Sequence, residues 1–273
     1  MRYLKTNKAE LIKAERWDYD YHEAPILIQE FDKGIIKKVS EVADIIRVKK
    51  DPTKTPDKTF QYIDISSVAI ETGEIEGNQE LTGSEAPSRA RKLVQAYDII
   101  ISTCRPTRKA IAVVPEHLHG QICSTGFSVI RAKKDINPLY LHFALRLDST
   151  MEQFRKFATG SSYPAILDSD VEKTLIPVPT LDEQNNIVKR LVISLKERKQ
   201  VIAEINSKWN GVLSLNIDQI KAKNFDFKDV AANGTDLIYS NEQIVERINQ
   251  LPQIEEIEEL EDEDEQMELD FVS

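Results

Sequence analysis

Between Val188 and Val212, apolar side chains recur at alternating spacings of three and four: Val188, Leu191, Leu195, Ile202, Ile205, Trp209 and Val212, interrupted only by Arg198. A stripe at that mean interval, held for about three and a half heptads, matches the seam of a coiled coil better than the broader face of a helix lying on a globule. It demands a long unbroken helix, and Thr180 followed by Glu183 supplies a capping box to start one. The spacing therefore predicts a coiled-coil helix over 181–216, with an interface of Val188, Leu191, Leu195, Ile202, Ile205 and Trp209. The competing expectation is a terminal helix that lays the same residues on its own domain.

Ahead of this helix the texture is different. "FQYIDISSVAI" (60–70), "YDIIIST" (97–103), "KAIAVVP" (109–115) and "STGFSVIRA" (124–132) are β-branched runs, and "ETGEIEGN" after the first reads as a turn. They predict a twisted mixed or antiparallel sheet. Short helices flank it. Asn7 with Glu10 opens one over 7–16, and Asn137 caps another with Pro138 at its first position. Ser149 and Glu152 form a further capping box for a helix that Gly160 stops. "GSSYPAI" (160–166) reads as a loop and "LIPVPT" (175–180) as a proline-stiffened extended exit. The fold class is thus α+β: a twisted mixed β-sheet domain with flanking helices over 1–180, then the coiled-coil helix 181–216. A short helical extension in 217–250 and an acidic disordered tail over 251–273 complete the chain.

The tail decides the net charge of −10. Residues 251–273 hold eleven acids and no Lys or Arg, so residues 1–250 carry 36 basic groups against 35 acidic ones. Within them, 88–134 gathers nine cations (Arg89, Arg91, Lys92, Arg105, Arg108, Lys109, Arg131, Lys133 and Lys134) against Asp98 and Glu116. A local cationic surface of this kind suits a polyanion. No run of 18 apolar residues predicts a membrane span, "MRYLKTNKAELIK" is too charged for an export signal, and two cysteines suggest no disulfide framework. A cytoplasmic location is expected.

Catalytic patterns are weak throughout. Cys104, His117, His119 and Cys123 invite a test for metal, but Cys104 lies thirteen residues before His117 and no paired-Cys knuckle is present, so no metal is expected. "INPLY" (136–140) lacks the second proline and aromatic of an adenine-methylation motif, and "DVEKT" (170–174) is too compressed for a nuclease carboxylate set. No phosphate-cradling loop of the P-loop type occurs.

"FQYIDISSV", "YDIIISTCRPTRKAIAVV", "QICSTGFSVIRA", "GSSYPAILDSDV" and "IPVPTLDEQNNIVKRL" together resemble the target recognition domain and following helix of Type I restriction-modification specificity subunits. The resemblance covers about residues 36–210, and its most specific pieces are the "GSSYPAI" loop and the exit into a helix opened by Glu183 and Gln184. The family usually carries two recognition domains and two helical spacers, whereas this sequence has one of each. Where many members have glycine before the "DII" strand this chain has Tyr97, which predicts a differently built turn.

The resemblance implies a non-catalytic subunit that binds double-stranded DNA and delivers an adenine-N6 methyltransferase subunit and a restriction/translocase subunit to a bipartite target. S-adenosylmethionine, ATP and Mg²⁺ would sit on those partners and no cofactor on this chain. Duplex recognition needs cations for phosphates and planar donors for base edges, which points to Arg89, Arg91, Arg105, Thr107, Arg108 and Lys109, with Ser161, Ser162 and Tyr163 offering hydroxyls. A single recognition domain reads one half-site, so a homodimer, or pairing with a second half-subunit, is expected through the seam. Two other classes stay open: a stand-alone nuclease or a fragment of a fused restriction-methylation enzyme, and a protein-binding regulator whose tail mimics DNA.

Overall fold

The computed structural model describes residues 27–160, 162–222 and 250. The expected helix over 7–16, the acidic tail 251–273, Ser161 and most of the 217–250 extension lie outside the described residues. The chain divides into two compact units, Met1–Ile205 and Asn206–Ser273.

The run "IIIS" forms strand β8 (Ile99–Ser102), buried at all four positions. A strand points successive side chains to opposite faces, so a continuous apolar run requires cover on both sides. Ile99 and Ile101 pack into one core with Ile111, Ile130, Tyr140, Leu141, Leu145 and Phe154, whereas Ile100 packs into a second with Val129, Phe127, Ile63, Val94 and Cys123. The sheet between these cores is antiparallel throughout and orders β2 (Ala43–Ile45), β11 (Phe127–Ala132), β8 and β9 (Ile111–Val113). Helices α2 (Pro138–Leu145), α3 (Asp148–Phe157) and α4 (Asp168–Lys173) contribute to the first core. The second core is closed by another sheet, ordered β6 (Gln79–Thr82), β3 (Thr59–Ile63), β10 (Ile122–Ser124) and β7 (Ala90–Leu93), in which β3 and β10 run parallel. Two ribbons complete the pairing: β1 (Ile36–Lys38) with β12 (Leu175–Pro177), and β4 (Val68–Ala69) with β5 (Glu74–Ile75). The four-residue helix α1 (Val39–Val42) follows β1. Mixed pairing is present as expected, but divided between separate sheets, because a strand apolar on both faces needs a second layer.

Local chemistry corrects several boundaries. The strand expected over 60–70 breaks at Asp64, whose carboxylate accepts from the Ser67 amide (3.0 Å) and the Ser66 hydroxyl (2.7 Å) and winds Ile65–Ser67 into a 3-10 turn. Asn137 caps α2 as predicted, its Oδ1 accepting from the amides of Leu139 (2.9 Å) and Tyr140 (3.3 Å). The Ser149–Glu152 box does not form. Helix α3 begins at Asp148, Ser149 is buried with its hydroxyl unpartnered, and Glu152 accepts from the Leu27 amide.

The long helix α5 (Leu181–Ala222) exists and runs six residues past the predicted end. Glu183 accepts from both the amide (2.9 Å) and the hydroxyl (2.7 Å) of Thr180. The buried Gln184 locks the start of α5 to α2: its Oε1 accepts from the Asn137 amide (2.9 Å) and its Nε2 donates to the Pro179 carbonyl (2.8 Å). The turn before β8 takes the left-handed conformation for which glycine is the usual residue, with Tyr97 at φ 67°. That backbone costs a non-glycine residue about 1–2 kcal/mol. The Tyr97 hydroxyl donates to Glu116 at 2.6 Å.

Candidate nucleic-acid interface

The link from β8 to β9 is a short displayed knuckle. Arg105 (φ 48°) and Lys109 (φ 61°) are both left-handed and bracket a 3-10 turn, Pro106–Arg108, with proline in its favoured first position. Two non-glycine residues in that region store about 1–3 kcal/mol each, so neighbours must hold them there. They do. The Arg105 amide donates to the Pro164 carbonyl (2.7 Å), Lys109 Nζ meets Asp148 Oδ1 (2.7 Å), and Arg146 Nη1 donates to the Lys109 carbonyl (2.8 Å).

The second predicted loop lies against the first, although some 55 residues separate them in sequence. Thr159 and Ala165 exchange both backbone hydrogen bonds (2.9 and 2.8 Å), and the Ile166 amide donates to the Thr103 carbonyl (2.9 Å). Across this join the Arg105 guanidinium stacks on the Tyr163 ring, 4.6 Å from its centroid, and Nη2 donates to the Ser162 carbonyl at 3.3 Å. Tyr163 keeps 69% of its surface exposed, so its ring is held from one side and open on the other. Ser162 is exposed and uses its carbonyl, not its hydroxyl, in this contact.

The rim continues beyond these loops. The Thr103 amide donates to the Gly126 carbonyl (2.9 Å), and the Thr125 amide donates to the Arg89 carbonyl (2.8 Å). The knuckle, the 124–126 turn and Arg89 are therefore neighbours along one hydrogen-bonded edge. Arg89, Thr107 and Arg108 are exposed, and among the described residues their side chains make no hydrogen bond or ion pair. They are available for an incoming anion.

Most of the remaining cations in 88–134 have other employment, which corrects the reading of that stretch as a single free patch. Arg91 donates to the Ala90 carbonyl (2.8 Å) and faces Asp51 (3.6 Å), and Lys109 is paired with Asp148. Lys92 donates to the Phe127 carbonyl (2.5 Å), Lys133 faces Asp44 (3.3 Å), and Arg131 grips the wholly buried Asp98 with two bonds of 2.7 and 2.9 Å. The carboxylates lie 33 to 89 residues away, and all but Asp98 fall outside the stretch, so the stretch alone hides most of the pairing.

The structure also adds cations that sequence reading missed. The Lys50 amide donates to the Arg91 carbonyl (2.9 Å) and the Leu93 amide to the Val48 carbonyl (3.1 Å), which lays "RVKKD" (47–51) beside β7. Lys49 and Lys50 are exposed and, among the described residues, unpaired through their side chains. Three cations in four residues was the available signal.

The metal quartet does not assemble. Among the described residues no group of three or more His, Cys, Asp or Glu is gathered as a metal site. Cys123 is buried in β10, where desolvation pushes its thiol up to about 12, and His119 Nδ1 accepts from the Ala96 amide (3.3 Å).

The predicted seam divides into parts. Val188 is buried in the first core, so it is not part of a free interface. Leu191 and Leu195 line a groove of about 760 Å³ between α5, the 71–76 turn and α2. Its walls are held by Arg198–Glu71 and Lys199–Glu74 pairs, both 2.6 Å, which explains the charged interruption at Arg198. Further along, Ile202 (39%), Ile205 (58%), Trp209 (60%) and Val212 (51%) are exposed.

Residues 35–207 match the family described as the Type I restriction modification DNA specificity domain. Over 147 residues, 51% of this chain and 32% of the relative, it is 26% identical to the Type I restriction enzyme HindI specificity subunit of Haemophilus influenzae. The HsdS subunit from Thermoanaerobacter tengcongensis is 38% identical, with a TM-score of 0.55, over 72% of this chain and 50% of that one. A structure described under complex assembly and conformational transition of the type I R-M system matches with the same identity, TM-score and coverage. The chain thus spans about half the length of its solved relatives and a third of the curated one.

Proposed function

Because the chain belongs to the Type I restriction-modification DNA specificity family, we propose that it reads one half-site of a double-stranded DNA target through the rim formed by Arg89, the 105–109 knuckle and the 162–164 loop. The observation that carries this reading is the knuckle itself: Arg108, exposed and, among the described residues, unpaired through its side chain, held between two left-handed residues and beside the Arg105–Tyr163 stack. A guanidinium fork on a stiff stub loses little entropy on docking, so its donors serve for bidentate contact with a guanine edge. Arg89, Lys49 and Lys50 would neutralise flanking phosphates and set the position on the duplex.

In this reading the chain performs no chemistry. It delivers a methyltransferase subunit and a restriction/translocase subunit, which would carry S-adenosylmethionine, ATP and Mg²⁺. The exposed seam of Ile202, Ile205, Trp209 and Val212 pairs two copies, or this chain with a second half-subunit, so that two recognition domains address a bipartite target. A helix of 42 residues is roughly 63 Å long at 1.5 Å per residue, and full overlap would set the half-sites on the order of two turns of B-DNA apart. No described helix is long and apolar enough to cross a membrane.

The test is assembly of the full chain with the methyltransferase subunit of its own system, followed by mapping of N6-methylated adenines in host DNA. A spaced, two-part motif that disappears with Arg89→Ala/Arg108→Ala supports the proposal. Cleavage or methyl transfer by the purified chain alone, with DNA, Mg²⁺ and S-adenosylmethionine, overturns it in favour of an enzyme.

A further inference from the structure

Arg146, directly after α2, has no carboxylate partner among the described residues. Its hydrogen bonds go to carbonyl oxygens: Nη1 to Lys109 (2.8 Å) and Ile111 (3.2 Å), Nη2 to Ile70 (2.7 Å) and Glu71 (3.0 Å). One guanidinium therefore joins two segments some 40 residues apart in sequence: the exit of the knuckle and the 70–76 turn. The planar fork of arginine satisfies this geometry and the single-point ammonium of lysine does not. The guanidinium is half-buried, and that desolvation lowers its pKa from the ordinary arginine value. A half-buried cation bound to carbonyls is costly to hold, and its removal takes a donor from four carbonyls, of which Lys109 keeps the Ile111 amide and Ile111 keeps His142.

The two segments matter for different reasons. Lys109 is the left-handed residue that closes the Pro106–Arg108 turn and leads the chain back into β9, so a bond to its carbonyl restrains the backbone next to Arg108. The 70–76 turn carries Glu71 and Glu74, which hold Arg198 and Lys199 of α5 at 2.6 Å each. Around Arg146, His142 Nε2 bonds the Ile111 carbonyl (3.0 Å), and Gly73 has φ +74° with no room for a side chain, since a Cβ would fall on His142 and lie 2.7 Å from the Ile111 carbonyl. The charged or titratable side chains near Arg146 are Lys109, Glu71, Arg198 and His142; Lys109 pairs with Asp148 and Glu71 with Arg198, and among the described residues no carboxylate bonds the Arg146 guanidinium.

We propose that Arg146 is a positioning residue for DNA recognition: its four carbonyl bonds fix the knuckle against the turn that seats α5, and this sets the sequence discrimination of Arg108 without Arg146 touching DNA. The inference rests on the reading of the knuckle as the DNA contact.

The experiment compares the wild-type full chain with Arg146→Lys, Arg146→Met and Arg108→Ala, each bound to its methyltransferase subunit. Duplexes enriched from a randomised library are measured against single-base variants. Arg146→Lys keeps the charge but not the fork. It is expected to cut the discrimination ratio about tenfold, the size of one lost charged hydrogen bond, while the salt slope stays at the wild-type value, since no phosphate contact is lost. Limited trypsin digestion supplies a readout that needs no DNA. Cleavage after Arg108 and Lys109 should accelerate in both Arg146 variants while other cleavage rates hold. If Arg108→Ala changes discrimination and Arg146→Lys does not, this inference fails and the DNA reading stands. If Arg108→Ala changes neither affinity nor discrimination, the DNA reading fails. Uniform acceleration of cleavage at every site makes Arg146 an ordinary stabilising residue and overturns the proposal.

Discussion

Arg108 separates stability from recognition more cleanly than any other residue on the rim. Its side chain is exposed and, among the described residues, has no hydrogen bond or ion pair to lose. Truncation to alanine should therefore leave unfolding free energy within about 0.5 kcal/mol of wild type, as for surface positions generally. Arg105 is the contrast. It holds the Tyr163 ring at 4.6 Å and a long bond of 3.3 Å to Ser162, so Arg105→Ala should cost about 0.5–1 kcal/mol of stability for an exposed cation–π contact. On DNA the order reverses. If Arg108 forks a guanine edge, its loss costs about 1–3 kcal/mol, or roughly 5- to 150-fold in Kd, concentrated at one base pair. If it meets only a phosphate, every sequence weakens alike and the salt slope falls by about one. Urea unfolding and fluorescence anisotropy at several salt concentrations measure both quantities. Unchanged binding by Arg108→Ala, or a stability loss beyond about 1 kcal/mol, refutes the assignment of a free recognition fork.

Three further outcomes are expected. Ile205→Asp with Trp209→Asp places charges in the exposed seam and should convert a dimer to monomers that retain weak half-site binding; light scattering that finds the wild-type chain monomeric at micromolar concentration, and single-copy in its complex, defeats the pairing. Removal of residues 251–273, with their eleven acids, should raise DNA affinity at low salt and have little effect at high salt, where screening shortens the reach of charge; a deletion that instead abolishes subunit assembly marks the tail as a docking element. Burial pulls His142 down to about 4 from an ordinary 6.5, so its contribution to stability is complete above pH 6.5 and is lost as pH falls toward 4. Unfolding free energy should drop by about 2 kcal/mol between pH 7 and pH 5 on this account, and His142→Gln should flatten the fall; an equal fall in the variant sinks it.

What was legible in the sequence follows from short-range physics. A cap acts over three residues, so Asn137 and Thr180 could announce α2 and α5 before any fold was known. Strand β8 declared itself because three isoleucines in succession have no amphipathic alternative, and the heptad stripe declared a long helix. The family motifs marked both loops of the rim, and Gln184, part of one of them, proved to be the lock between α5 and α2. The Ser149–Glu152 box failed for the opposite reason: its pattern was local, but burial of Ser149 and the Leu27 amide claimed those groups from elsewhere in the fold.

Tertiary structure alone decided which charges are free. Nine cations cluster between 88 and 134, yet Arg91, Lys109 and Lys133 each meet a carboxylate from outside that stretch and Arg131 one 33 residues away, just before a neighbouring strand, and no pattern in the stretch foretells these pairings. The same holds for the seam, where burial took Val188 into the domain and ion pairs at Arg198 and Lys199 took the next turns. Periodicity specifies that a helix has an apolar stripe; only packing decides whether the stripe meets its own domain or is left open, because the energy of burial depends on the surface that comes to cover it, and that surface is built by residues far away in the chain.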